Sequence, residues 1–285
     1  MSSEASALSA VGTKEFTIYF GVPILIIGVI GGVLNIIVFL SLKTFRQSSC
    51  AFYLTIMSFV NIGQLIANLL SRIMMTGWGL HFTDSSPVYC KFRYYYLQVC
   101  GLTSYSCMCL ATIDQFLATS RRHQWQQFLT IRRARFSSML FCLVWLLHGI
   151  PAIIFFYPVA SPRTGTISCS FTNEIFQKYY TYFYTLTLMG LIPTSITVLF
   201  GCLAYRNVRQ IPYRAVPLAR RELDKQLTSM VLVQVVYNFI VMAPYISVQI
   251  ILYTANFHIQ SPNYIQLLSG IRITGLLYYL YFAVS

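Results

Sequence analysis

The segment CLATIDQFLATSRR, residues 109–122, contains an isolated carboxylate. Asp114 is the only acidic residue between Asp84 and Glu174. It stands at the end of an apolar run, where a charge is costly unless it is hydrated or paired. The next residue, Gln115, can donate and accept hydrogen bonds but carries no charge. Asp114 is therefore either a hydrated carboxylate beside cations or one member of a conformational switch. The nearest candidate cations are Arg121, Arg122, Arg132 and Arg133.

Three arginines, Arg72, Arg93 and Arg272, also lie within apolar segments. A charge in such a position usually faces a cavity or extends its head group to an interface. If the three face one cavity, they form a basic entrance suited to an acidic group, because guanidinium makes charge-assisted hydrogen bonds to carboxylates. The alternative is that each of them reaches a polar interface separately.

The sequence lacks the groups of residues on which enzyme chemistry depends. The four histidines are scattered and none has metal-ligand spacing; they are His81, His123, His148 and His258. The chain contains neither a Gly-rich phosphate loop nor a recognisable Ser/His/Asp arrangement. We therefore expect no enzyme activity, no metal site and no cofactor.

The composition indicates a membrane protein. Of 285 residues, 56% are hydrophobic and only 9% are charged, whereas soluble domains carry about 25% charged residues. The net charge of +13 does not indicate nucleic-acid binding, because the basic residues fall in gaps between apolar segments. Seven segments are long enough to cross about 30 Å of hydrocarbon as helices. They lie near residues 17–42, 51–76, 88–119, 136–158, 179–206, 223–254 and 262–285.

These segments predict an all-α membrane protein, a seven-transmembrane helix bundle with an extracellular N-terminus at residues 1–16. The first span has no basic region before it and is too long for a cleaved signal peptide. Most of the 20 Lys and Arg residues fall in the first, third and fifth loops, which we therefore place in the cytosol. We expect a multi-pass protein of the plasma membrane, in contact with membrane lipid.

Aromatic residues and cysteines mark the outer side of the predicted bundle. The segments KFRYYYL (91–97) and KYYTYFY (178–184) lie near the outer interface, where an aromatic belt accounts for most of their tyrosines. Cys90 and Cys169 are the only cysteines expected outside, where disulfides form. We expect them to pair and to tie the third span to the second outer loop.

This organisation resembles the rhodopsin-like G-protein-coupled receptors, with peptide receptors as the favoured subgroup. Asn35 in GGVLNIIVF and Asn61 in LTIMSFVNI stand at polar positions of the family's first and second helices. DQF, which includes Gln115, stands at the place of the Asp-Arg-Tyr motif. Further agreements follow in the family's order and cover the whole chain: Trp78, Trp145, Pro151, Pro193 and Pro244.

The chain also departs from the family pattern. Gln115 replaces the motif arginine, Asn61 the helix-two aspartate and Met242 the helix-six tryptophan. The sequence stops at Ser285, about where the family's Asn-Pro-x-x-Tyr motif is expected to begin. Because Asn61 is neutral, we expect the family's sodium site to be weak or absent. Asn35, Asn61 and Ser104 then remain as a polar network in the core.

The resemblance implies three groups of functional residues. A conformational switch comprises Asp114, Gln115, Pro193, Met242 and Pro244. The expected walls of a ligand pocket are Gln64, Asn68, Arg72, Arg93, Leu97, Gln98, Gly101, Tyr245, Gln249 and Arg272. The expected contacts to a G protein are Arg121, Arg122, Arg220, Arg221 and Lys225.

The function implied is that of a receptor that binds an extracellular ligand and activates a heterotrimeric G protein. Leu97 stands where amine receptors keep an aspartate, and Tyr279 stands about where opsins keep the retinal lysine. A peptide or a small acidic ligand is therefore favoured. The alternative is a non-signalling receptor-like decoy, scaffold or dimer partner, which Gln115 and Met242 favour. A transporter is disfavoured because repeated halves with broken helices are not found.

Overall fold

The computed structural model describes residues 2–80, 85–120, 123–127, 129–160, 167–209, 218–254 and 262–284. Within these ranges the backbone alone is described at some positions; they are 2–13, 44, 123, 126, 218–225, 252–254, 262–269, 271 and 272.

Seven long helices make up most of the described chain. They are α1 (Ser2–Ser41), α2 (Ser49–Trp78), α3 (Pro87–Thr119), α4 (Ile131–Phe155), α5 (Glu174–Arg209), α6 (Leu218–Thr254) and α7 (Pro262–Val284). Two short helices, Lys43–Arg46 and His123–Gln126, lie in the loops after α1 and α3. Helix α1 includes residues that the sequence analysis assigned to an extracellular N-terminal segment.

The helices have the length and surface of membrane spans. Six of them contain a stretch long and apolar enough to cross a membrane, and α7 adds the shorter apolar stretch Ile273–Val284 within its fully described part. Large apolar side chains such as Ile27, Phe136 and Val236 are exposed on α1, α4 and α6. Such faces suit hydrocarbon rather than water. The predicted seven-helix membrane bundle is confirmed.

Local sequence signals account for several helix ends. Ser48 and Ser86 cap α2 and α3, since their side chains accept hydrogen bonds from the Ala51 and Tyr89 amides at 3.5 and 3.4 Å. Pro87 follows at the first helical position of α3, where proline is tolerated. At its other end α2 stops at Gly79, which takes a left-handed conformation with φ 71°.

Two helices contain π-helical segments, Leu65–Leu69 in α2 and Tyr179–Leu191 in α5. In α5 the hydroxyl groups of Thr185 and Thr187 donate to carbonyl groups five residues earlier, at 3.0 Å each. Such segments are rare and often occur at functional sites. They rotate the following residues relative to a continuous α-helix, and so they change which side chains face the bundle interior.

Helix α3 runs through the centre of the bundle. Its apolar stretch is 72% buried, the highest share among the six candidate spans, and it packs against α2, α4, α5 and α6. Its side chains Leu102, Tyr105 and Met108 are almost completely buried. Its buried polar side chains bond either the backbone of α3, as Thr103 and Thr112 do, or groups on neighbouring helices.

A β-hairpin lies at the outer end of α3. Strand β1 (Phe156–Ala160) continues directly from α4 and pairs antiparallel with β2 (Ile167–Phe171). A disulfide joins Cys90 on α3 to Cys169 on β2, with a Cα–Cα distance of 5.8 Å. This is the pairing that the sequence predicts, and it fixes β2 beside the outer ends of the helices.

We expect replacement of both disulfide cysteines, Cys90→Ser with Cys169→Ser, to lower the thermal stability of the purified protein. The chain-entropy estimate for this loop is about 4–5 kcal/mol, which is an upper limit because the helices already hold the loop ends together. Unfolding temperature in detergent is the measurement. Cys202→Ser, at an exposed free cysteine on α5, is the control and should change it little. Equal unfolding temperatures for all three proteins would contradict a stabilising disulfide.

Candidate functional site

The described bundle contains a cavity of about 230 Å³ between the outer ends of its helices. The hairpin and the disulfide form one wall, and α2, α3, α5, α6 and α7 form the others. We call it the arginine pocket. Its lining residues are Arg72, Arg93, Tyr94, Leu97, Phe156, Cys169, Ser170, Phe171, Tyr180, Tyr245, Gln249, Tyr278 and Tyr279.

Two guanidinium groups share this pocket, and none of the described residues that line it is acidic. Arg93 donates from Nη1 to the Met75 sulfur at 3.5 Å. Its Nε is buried and makes no hydrogen bond with any described residue. A buried N–H of a charged group without an acceptor is unfavourable, so an anion entering the pocket would gain strong hydrogen bonds.

Arg72 crosses from α2 towards α7. Its guanidinium lies so close to Gly275 that a Cβ atom at that position would overlap it. The missing side chain of Gly275 is therefore what lets this arginine lie against α7. The sequence signal for this contact is Gly275 itself, the one small residue at the start of the bulky run GLLYYLYF (275–282).

Several of the predicted wall residues lie deeper than the pocket. Gln64 donates to the Leu97 carbonyl at 3.0 Å, and Asn68 donates to Gln64 Oε1 at 2.6 Å. Both amide side chains are fully buried. Gly101 lies at the same depth on α3, facing the Tyr278 hydroxyl. These residues form the floor beneath the arginine pocket rather than its walls.

Gln98 points towards α4 instead. Its Nε2 hydrogen-bonds His148 Nδ1 at 2.9 Å, and His148 Nε2 hydrogen-bonds the Tyr179 hydroxyl at 2.5 Å. The three side chains join α3, α4 and α5 near the pocket. Gln98 therefore does not line the arginine pocket but takes part in hydrogen bonds that link the helices next to it.

At the cytosolic end of α3, Asp114 is bound to the first turn of α2. The Ser49 hydroxyl lies 2.8 and 2.9 Å from the two carboxylate oxygens and donates to them. The adjacent Tyr53 hydroxyl hydrogen-bonds Ser137 on α4 at 2.8 Å. Asp114 thus takes part in a polar contact among α2, α3 and α4, and Ser49 is a partner that the sequence analysis missed.

Gln115 faces the other side of α3 and contacts α6. The Thr228 hydroxyl donates to Gln115 Oε1 at 2.9 Å, and both side chains are 2% exposed. A hydrogen bond between uncharged groups therefore holds the inner ends of α3 and α6 together. It stands at the position where the resemblance leads one to expect a charged arginine.

Between the two ends, α3, α6 and α7 meet around Tyr105. Its hydroxyl donates to the Met242 sulfur at 3.1 Å, and its ring stacks on Tyr281 with centroids 4.7 Å apart. Tyr281 also hydrogen-bonds Ser104 at 3.2 Å. The contacts at this level therefore connect the helix that carries Pro244 to the centre of the bundle.

A comparison with known families covers nearly this whole bundle. The chain matches the family described as 7 transmembrane receptor (rhodopsin family) over residues 31–280. The chain belongs to the rhodopsin family of receptors. No curated protein matches it significantly. The match supports a multi-pass receptor of the plasma membrane and does not specify its ligand.

The core polar residues of this receptor are only partly connected. Asn61 is buried, and neither polar atom of its side chain has a hydrogen-bond partner among the described residues. A buried amide of this kind needs ordered water. Asn35 is half-buried on α1, while Ser104 is bound to Tyr281 as described above.

The remaining predicted site residues fall into three groups. Pro193 lies in α5, where its carbonyl accepts from the Thr197 hydroxyl at 2.7 Å. Arg121 and Arg122 lie outside the described residues. For Arg220, Arg221, Lys225 and Arg272 the backbone is helical and the side chains are not described.

The pocket contains functional candidates that sequence reasoning missed. Its aromatic lining comes from tyrosines assigned to an interfacial belt, such as Tyr94 and Tyr180, and from Phe156 and Phe171 of the hairpin. The predicted disulfide was the available signal, because it brings the residues around Cys169 to α3. No comparable signal identified Tyr278, which lies on α7.

Proposed function

We propose that this receptor binds an extracellular ligand through an anionic group, from either a small acid or a peptide with a free carboxylate, and activates a heterotrimeric G protein. The observation that carries the proposal is the pair Arg72 and Arg93 in one pocket without a carboxylate among its described lining residues. Two like charges in a confined space repel each other, and a bound anion relieves that repulsion.

The geometry of the pocket supports an anionic group in particular. Guanidinium presents its donors as a planar fork that matches a carboxylate. Arg93 is anchored by Met75 at one nitrogen, and its buried Nε has no acceptor among the described residues. The aromatic walls add apolar area beside the charged group, which favours an organic acid over an inorganic ion.

A route from the pocket to the cytosol runs through α6. Tyr245 and Gln249 of α6 line the pocket, and Pro244 stands next to Tyr245. Thr228, on the same helix, binds Gln115 at the inner end. A ligand that favours a different position of α6 would weaken this hydrogen bond and shift the population towards an open cytosolic face.

A second candidate function is that of a non-signalling receptor-like partner or decoy. The observation that favours it is Gln115, which is buried against Thr228 and carries no charge. Such a protein would bind the same anionic ligands without recruiting a G protein.

We expect Arg93→Gln to reduce the potency of acidic agonists by about tenfold to a hundredfold, the usual effect of losing a hydrogen bond to a charged group. The assay is G-protein recruitment at the cell surface, with a panel of small carboxylates and of peptides carrying free or amidated C-termini. Lys91→Gln is the matched control, since it removes the same charge from the same helix outside the pocket. Equal potencies for both variants, or active compounds without an acidic group, would contradict anionic recognition.

We expect Thr228→Val to raise basal G-protein recruitment by about twofold to tenfold. The variant keeps the shape of the side chain and removes a hydrogen bond of ordinary net strength from the closed state. Thr228→Ser retains the hydroxyl and should keep basal recruitment near the wild-type level. Unchanged basal activity in Thr228→Val, at matched surface expression, would show that this contact does not restrain α6.

A further inference from the structure

Three polar side chains surround the space beside Gly101 on α3, which we call the chamber. A Cβ atom placed on Gly101 would lie 3.5 Å from the Tyr278 hydroxyl, 3.8 Å from Gln64 Nε2 and 3.9 Å from the Tyr184 hydroxyl. These three groups come from α7, α2 and α5. Side chains of three helices therefore converge on the one position of α3 that has no side chain of its own.

The chamber contains hydroxyl groups without partners. Tyr184 and Tyr278 are 1% and 2% exposed, and neither hydroxyl makes a hydrogen bond with a described residue. Asn68 Oδ1, one helical turn above Gln64, is also buried and has no hydrogen-bond partner in the described part of the chain. Buried polar groups are nearly always hydrogen-bonded, so the chamber calls for an occupant that supplies hydrogen bonds.

The chamber lies next to the arginine pocket, and one residue contributes to both. Tyr278 lines both of them, and its ring stacks on Tyr245 of the pocket wall with centroids 4.7 Å apart. Leu97, another lining residue, accepts the hydrogen bond of Gln64. A ligand held by the arginines would therefore reach the chamber by passing Tyr278.

The helix rise sets the scale of the distance between the two regions, measured between backbone positions. Arg93 and Gly101 are eight residues apart on α3, which corresponds to about 12 Å along the helix axis. The walls between them are apolar or aromatic, with Leu97 on α3 and Tyr245 on α6. From the arginine pocket to the chamber, the surrounding residues thus change from cationic to apolar and then to uncharged polar.

We propose that the chamber binds a hydroxyl group of the ligand. The receptor then recognises amphiphilic acids that have an anionic head, an apolar middle and a hydroxyl group about 12 Å from the head. A hydroxyl both donates and accepts, as the two tyrosine hydroxyls require, whereas a second charge would lack a counter-ion among the described residues of the chamber. This inference rests on the proposed function, since the arginines hold the head group.

The test compares ω-hydroxydecanoate with decanoate, whose extended chains match this distance and which differ only in the terminal hydroxyl. Affinities are measured with the purified full-length receptor in lipid nanodiscs and are corrected for partitioning into the lipid. The wild-type receptor should bind the hydroxy acid about threefold to tenfold more tightly, the ordinary effect of a new hydrogen bond.

Three variants separate the chamber from the arginine pocket. Gly101→Ala fills the chamber with a methyl group at ordinary contact distances, so the fold should be retained, and the preference for the hydroxy acid should disappear. Tyr278→Phe removes one partner hydroxyl and should reduce the preference as well. Arg93→Gln should weaken both acids equally and leave their ratio unchanged.

The results distinguish failure of the hydroxyl site in the chamber from failure of anion recognition by the arginines. Equal affinities in the wild-type receptor, or a preference that persists in Gly101→Ala and Tyr278→Phe, would overturn the hydroxyl site and mean that the chamber holds only water. If Arg93→Gln leaves both affinities unchanged while Gly101→Ala abolishes the preference, the chamber is retained and anionic recognition is wrong. If neither acid binds the wild-type receptor, both proposals fall.

Discussion

The outer half of this receptor is organised around two positive charges that share one pocket. Arg72 and Arg93 are brought together by α2 and α3 and face no carboxylate among the described lining residues. The bundle tolerates this repulsion because other features hold both side chains in place. Gly275 leaves room for one guanidinium against α7, and Met75 accepts a hydrogen bond from the other. The disulfide and the hairpin then close one side of the pocket, so the charges lie in a confined space, which is the basis of the proposed anion binding.

Helix α3 connects the arginine pocket at the outer end of the bundle to the contacts at its cytosolic end. Its outer end is tied to β2, its middle to α7 through Ser104 and Tyr281, and its inner end to α2 and α6 through Asp114 and Gln115. The first of these ties is a disulfide, and the others use buried or half-buried polar groups that have to be satisfied within the protein. At the inner end, the hydrogen bond between Gln115 and Thr228 of α6 joins uncharged groups, and such a bond is weaker than one to a charged residue. Under the proposed function, modest ligand binding energy would be enough to shift this contact.

Sequence reasoning predicted the fold and the disulfide because both follow from properties that are local in the chain. Apolar length and the charge of the loops define the spans, and the side of the membrane identifies Cys90 and Cys169. The site is harder to predict because it depends on helix rotation. Arg72, Arg93, Leu97, Tyr245 and Gln249 line the pocket, but Gln64, Asn68 and Gly101 lie beneath it and Gln98 lies behind it. The π-helical segments in α2 and α5 change which side chains of these helices face the bundle interior, and no sequence pattern indicated these segments. Gln115 and Thr228 are separated by 113 positions, so their contact could be known only from the packing of α3 against α6.

The central claim is that the native receptor, with glutamine at this contact, signals in response to an anionic ligand. The most direct test compares G-protein recruitment by the wild-type protein and by Gln115→Arg at equal surface expression. Both are stimulated with the same mixture of small carboxylates and peptides with free C-termini. The wild-type protein should recruit a G protein when the acids are added. Recruitment by the arginine variant alone would contradict it, and would mean that the native protein binds its ligand as a non-signalling partner or decoy.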